Sequence, residues 1–264
     1  MTMQRARRLA STAVVAVLAV AGLTACQQSP DVAAYTSGGK ISEDRVEGIY
    51  DQVRDQLTEA REQAQRRGEA AGATEALPPP TMPISRQDVL NALLEVDLLR
   101  KAAQARGVKP TDPAPVAQVA QARNYSPTWE YTQLYAEAHQ LRAALEPTVT
   151  PAQLTQDDLH DVYRRLIAGG AAEPTTTFDD FQSKMLSPEN KSVLETFVGM
   201  RNDLQRVVAD QKVKINPRYG AQQIPLLTIQ GGDGKDLPLV VLSIGGEDAE
   251  NAYVTDVPAV TTAA

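Results

Sequence analysis

The chain has 264 residues, 42% of them hydrophobic but only 5% aromatic, with a formal charge of -7. That is enough for one large domain or two small ones, and few aromatics among many alanines suggest thin helix-on-helix packing. The acidic balance argues against nucleic-acid binding, which needs basic residues to displace counterions from phosphates, and a single cysteine excludes an intrachain disulfide.

Met1 to Arg8 carries three arginines and no acid, and Leu9 to Leu23 is a run of small and apolar residues. This is a signal-peptide pattern, and the run is short for a membrane span. Without these arginines, 23 basic residues face 33 acidic ones, a charge of -10. The run ends in Leu23-Thr24-Ala25-Cys26, which resembles the lipobox of bacterial lipoproteins. The resemblance implies that residues 1–25 are removed and that Cys26 becomes a diacylglycerol-modified N-terminus. Two acyl chains anchor stably where one does not. The competing reading is an ordinary secretory cleavage site that happens to precede a cysteine.

A polar tether over residues 26–31 leads to Val32-Ala33-Ala34-Tyr35-Thr36, a short strand turned by Gly38-Gly39. Ser42 then caps a helix with Val46, Ile49, Val53 and Leu57 on one face. Residues 68–84 change to Gly, Ala, Thr and Pro and are expected to form a flexible insertion. Ser85 to Gly107 follows, with Val89, Leu90, Leu93, Leu94, Val96, Leu98, Leu99, Ala102 and Ala103 at helical spacing. A stripe this wide predicts a helix covered on several sides, capped by Ser85 with Asp88 and ended by Gly107.

Further helices are predicted at Val116–Arg123, from Ser126-Pro127, from Thr150-Pro151 to Gly169, from Thr177, and from Ser187-Pro188. Val213-Lys214-Ile215 is strand-like. A lone short strand leaves its backbone groups unpaired, so Ala33–Thr36 and Val213–Ile215 are expected to pair, placing Tyr219 near the base of the first helix. Residues 221–264 read as a tail, with two apolar runs forming at most a loose hairpin because Pro225 and Pro238 interrupt them. Beyond Glu247 disorder is expected.

Three passages carry a family resemblance. They are the Ala33-Ala34-Tyr35 opening with Ile41-Ser42 and its long helix, the Leu-rich Ser85 to Asp112 segment, and Leu154-Thr155-Gln156-Asp157-Asp158-Leu159 into Val162-Tyr163. Together with Ile215-Asn216-Pro217-Arg218-Tyr219-Gly220 they resemble the SurA-like N-terminal chaperone domain shared with PrsA and related to trigger factor. The resemblance implies a mainly α fold over residues 32–220, with a small two-stranded β pairing between its ends. A parvulin isomerase domain would need some ninety residues after the connecting helix, again as the family implies. Only Gly170 to Val198 lies there, with no histidine.

Other constellations are weaker. Asp157, His160 and Asp161 share a helical face, but one where polar residues are expected anyway. His139 has no partner in sequence to make it a base. Gly231 to Lys235 lacks the first glycine and the final Ser or Thr of a phosphate loop. Tyr125, Trp129, Tyr131 and Tyr135 hold four of the nine Tyr and Trp residues within eleven positions. They are candidates for binding clients, though the spacing also fits core anchors. The reading is therefore of a cell-membrane lipoprotein on the extracytoplasmic face, anchored through diacylglycerol on Cys26. It would be a non-catalytic chaperone for unfolded or extended exported polypeptides, with no cofactor. The alternatives are a scaffold lipoprotein holding one folded partner and a degenerate peptidyl-prolyl isomerase.

Overall fold

A computed structural model describes residues 31–245, except residues 73 and 233. The proposed leader, Cys26, the tether up to residue 30 and the segment beyond residue 245 lie outside the described residues. The described chain is mainly helical, with a few short antiparallel strands in two small sheets.

The helix at the centre is α2 (Arg86–Arg106), following α1 (Glu43–Ala70). Ser85 Oγ accepts from Asp88 N at 3.1 Å, and Ser85 N donates to Asp88 Oδ2 at 2.8 Å, closing a reciprocal cap. Gly107 ends the helix at φ 65°, a conformation that costs glycine little. Leu90, Leu94, Leu98 and Leu99 are fully buried. They are covered by α1, by α4 (Glu130–Leu145) after the short α3 (Val116–Arg123), and by α7 (Pro188–Asp210). Between α4 and α7 lie α5 (Gln156–Ala168), a single turn α6 (Phe178–Asp180) and a π-type turn over Phe181–Met185.

The two ends of the helical part meet as expected. Strand β1 (Val32–Thr36) pairs with β3 (Lys214–Ile215), Ala34 opposite Ile215 and Tyr35 opposite Lys214. The sheet has a third strand that the sequence reading did not separate, β2 (Gly39–Ser42), in the order β2-β1-β3. Buried Asn216 locks the junction: its Nδ2 donates to Val32 O at 2.9 Å. Tyr219 Oη donates to Glu43 Oε2 at 2.6 Å, so the exit of the chain touches the first turn of α1.

The tail departs from expectation. Residues 222–244 form a nine-on-nine hairpin, β4 (Gln222–Gln230) and β5 (Asp236–Ile244), whose Ile224, Leu226, Leu239, Val240, Leu242 and Ile244 enter the common core. Pro225 and Pro238 sit inside it because a two-stranded ladder has no third strand to claim every N–H, and the register slips beside Pro225. The hairpin tip is held too: Gly232 N donates to Gly169 O at 3.1 Å. A Cβ at Gly232 would collide with Gly170 O. Residue 220 is thus no domain boundary.

Three local expectations also change. Ser126-Pro127 forms a turn, and α4 starts only at Glu130. The Thr150-Pro151 stretch stays outside α5, where Ala152 N bonds Glu195 O at 2.8 Å, and Thr155 with Asp158 forms the actual cap. A Cβ on Gly199 of α7 would strike Thr150 O, so this crossing needs glycine. Residues 68–84 do not stand free: α1 continues to Ala70, Arg61 Nε donates to Pro78 O at 2.8 Å, and Leu77 N donates to Gln65 Oε1 at 2.7 Å.

Leu94 is at 0% exposure and Val193 at 44%. Leu94→Ala is expected to cost about 2–5 kcal/mol in a urea titration, and Val193→Ala less than about 0.5 kcal/mol. Similar losses in the two variants would mean that α2 is not the core.

Candidate functional site

The structure brings Tyr125, Trp129, Tyr131 and Tyr135 together. Ring centroids lie 5.5 Å apart for Tyr125–Trp129, 5.8 Å for Tyr125–Tyr131 and 6.5 Å for Tyr131–Tyr135. Yet Trp129 and Tyr131 are buried, and the Tyr135 hydroxyl accepts from Arg123 Nη2 at 2.6 Å. Burial pushes the Tyr131 phenol far above its ordinary range. These rings pack α4 to its neighbours; Trp129 and Tyr131 have no surface to offer a client, and only Tyr125 and Tyr135 stay half-buried. Cys26 lies outside the described residues.

The polar constellations find local roles. Asp161 pairs with Arg165 at 2.8 Å, and His160 stacks on Phe178 with centroids 3.7 Å apart. Among the described residues no group of three or more His, Cys, Asp or Glu is placed to hold a metal. Burial, and then the nearby Arg142 guanidinium, lower the His139 pKa.

A site the sequence reading missed lies where α5, the Phe181 turn, α7 and the hairpin meet. It is an apolar recess of about 280 Å³. Leu166, Phe181, Leu194 and Leu239 form its buried floor, with half-buried Ala171, Leu186, Leu227 and Ile229 around the opening. An aromatic stack backs it: Phe181 lies 5.9 Å from both Phe178 and Tyr163, whose hydroxyl donates to Thr176 O at 2.7 Å. Two of the chain's three phenylalanines are here. In so aromatic-poor a sequence, that was the signal. The volume falls just below the usual small-molecule range of about 300–1,000 Å³. It suits one or two apolar side chains better than a cofactor.

A wider recess of about 670 Å³ runs between the Pro110–Gln118 segment and His139, Gln140, Ala143 and Ala144. It is shallow and more polar, and Gln140 bridges it to Asp112 O. The smaller recess is the better apolar site.

Arg142 supports the recess from behind. Its Nη1 donates to Pro225 O and Leu226 O at 3.3 Å each, and its Nε lies 3.2 Å from Glu95 Oε1. The Nε–H does not point at that oxygen, so the pair is Coulombic rather than hydrogen-bonded. Burial raises the Glu95 pKa, with Arg142 acting in the opposite direction. On the other side, Asp158 caps α5 and meets Arg201 of α7 at 2.8 Å. Burial would raise its pKa, but the Thr155 and Arg201 hydrogen bonds outweigh this and lower it.

Compared with known proteins, the chain matches no protein-family model, no curated protein and no solved structure.

Removing one partner of a buried pair strands the other charge. Arg142→Leu is expected to cost about 3–5 kcal/mol, and the Glu95→Leu/Arg142→Leu double variant clearly less. Without Arg142 the carboxyl of Glu95 is raised further. A raised folded pKa contributes stability below the unfolded value, near 4.3, that is lost as pH climbs through the folded value. Arg142→Leu should therefore lose more stability at pH 8 than at pH 5. Urea titrations at both pH values would detect it, and a pH-independent, additive cycle would dissolve the pair.

Proposed function

We propose that this chain is a membrane-anchored, extracytoplasmic lipoprotein that binds apolar stretches of unfolded or extended exported polypeptides without catalysing a reaction on them. The observation that carries the reading is the half-open apolar recess over Phe181, sized for the side chains of an extended segment. The order of elements supports it by resembling a SurA-like N-terminal module that lacks the parvulin isomerase domain. Leu23-Thr24-Ala25-Cys26 supports the anchor. Among the described residues no helix is long and apolar enough to cross a membrane. The excess of acid favours basic or neutral clients.

One experiment with two arms tests this. Ala171→Phe places a ring at the mouth of the recess and should weaken suppression of client aggregation several-fold while leaving the fold intact. Undiminished suppression by a folded Ala171→Phe protein would remove the recess from the account. Capture of one stoichiometric folded partner, with no suppression, would favour a scaffold. Cys26→Ser should move the protein from the membrane to the soluble fraction; unchanged partitioning would remove the lipid anchor.

A further inference from the structure

Four of the chain's eight lysines gather at one corner of this acidic protein: Lys40, Lys101, Lys212 and Lys214. In the three-stranded sheet Tyr35 stands opposite Lys40 on one side and opposite Lys214 on the other. Directly opposed residues share a face, so the three side chains form a Lys–Tyr–Lys row across the sheet, with Lys40 and Lys214 exposed. The adjoining turn brings the other two. Ser37 N and Oγ both bond Gln211, at 2.7 and 2.6 Å, placing exposed Lys212 beside the β1–β2 turn. The Lys101 ammonium lies 3.3 Å from where a Cβ on Gly38 would stand.

None of these four lysines takes part in an ion pair found among the described residues. Lys184 and Lys191 do, with Asp180 and Glu195, as do many arginines, including Arg45, Arg86, Arg100 and Arg106. Of the acids in the adjoining segments, Asp31, Glu43, Asp44, Asp97 and Asp210, none pairs with these lysines, and Glu43 is taken by Arg218. The whole chain carries -7.

We propose that the Lys40–Tyr35–Lys214 face, with Lys101 and Lys212 at its edge, rests on an anionic phospholipid surface. The inference rests on the lipid-anchor reading above. Five residues separate Cys26 from Val32, the first residue of β1, so β1 begins at most about 22 Å from the anchored cysteine. The sheet entered by that tether is the one that bears the unpaired cations. Clustered lysines beside an anchor are attracted by anionic headgroups, within a Debye length of about 8 Å at physiological salt. Tyrosine, apolar along its ring and polar at its tip, suits the same depth. The surface thus has the chemistry of a headgroup contact that would orient the molecule on its anchor.

The test uses lipidated full-length mature protein in phosphatidylcholine vesicles with or without phosphatidylglycerol, and in detergent as the reference. Lysines are acylated with an activated ester and read by mass spectrometry. Labelling at Lys40, Lys212 and Lys214 should fall several-fold only on phosphatidylglycerol vesicles and recover in high salt, while Lys109, Lys184 and Lys191 stay unchanged. Equal labelling of both lysine sets, on protein that floats with the vesicles, overturns the proposal and leaves the anchor standing. Protein that does not float with either vesicle overturns the anchor and the proposal together.

Discussion

Arg142 touches three elements at once: its own helix α4, the central helix α2 through Glu95, and the first strand of the hairpin through two backbone carbonyls. A guanidinium suits this junction because it stays charged when buried and offers donors in several directions. Glu95 has little alternative to it. An acid in the middle of a helix covered by other helices must find a cation or take up a proton. The pair therefore fixes where the hairpin lies against the helices. That placement matters beyond stability, since Leu227, Ile229 and Leu239 of the hairpin wall the apolar recess.

The remaining cross-links follow the same pattern of an arginine from one element on a carboxylate of another. Arg218 and Tyr219 meet Glu43, tying chain exit to chain entry. Arg201 meets the carboxylate that caps α5, and Arg106 reaches Asp203 and Thr148. Exposed pairs of this kind contribute little singly. The half-buried ones carry register information, because each joins elements far apart in sequence. With so few aromatic side chains to interlock, the thin core gains orientation from these contacts.

Much of this was legible in the sequence. Breadth of the apolar stripe, a serine three residues before an acid, and a glycine after the last turn suffice to define α2. The pairing of β1 with β3 follows from the cost of an unpaired strand. The errors have physical reasons. Ser126-Pro127 has the chemistry of a helix start and of a turn, and the structure uses the turn. Thr155-x-x-Asp158 is a capping box that starts five residues after Thr150, the weaker signal with Pro151. The prolines of the hairpin argue against a central strand, but neither strand here is central. Glu95 is masked by its apolar neighbours in the stripe, yet a single acid inside such a stripe is itself the clue to a buried cation such as Arg142. The recess was hidden because its walls come from four segments, and only the pairing of Phe178 with Phe181 hinted at it.

Hairpin and helices share one core and form one cooperative unit, not a helical module trailing a tail. Native-state amide exchange measures this directly. Amides of Ile224 and Leu242 should open with the same free energy, and the same denaturant dependence, as those of Leu94 and Leu98. Exchange of the hairpin amides through a separate, lower-energy opening that leaves α2 protected would contradict it.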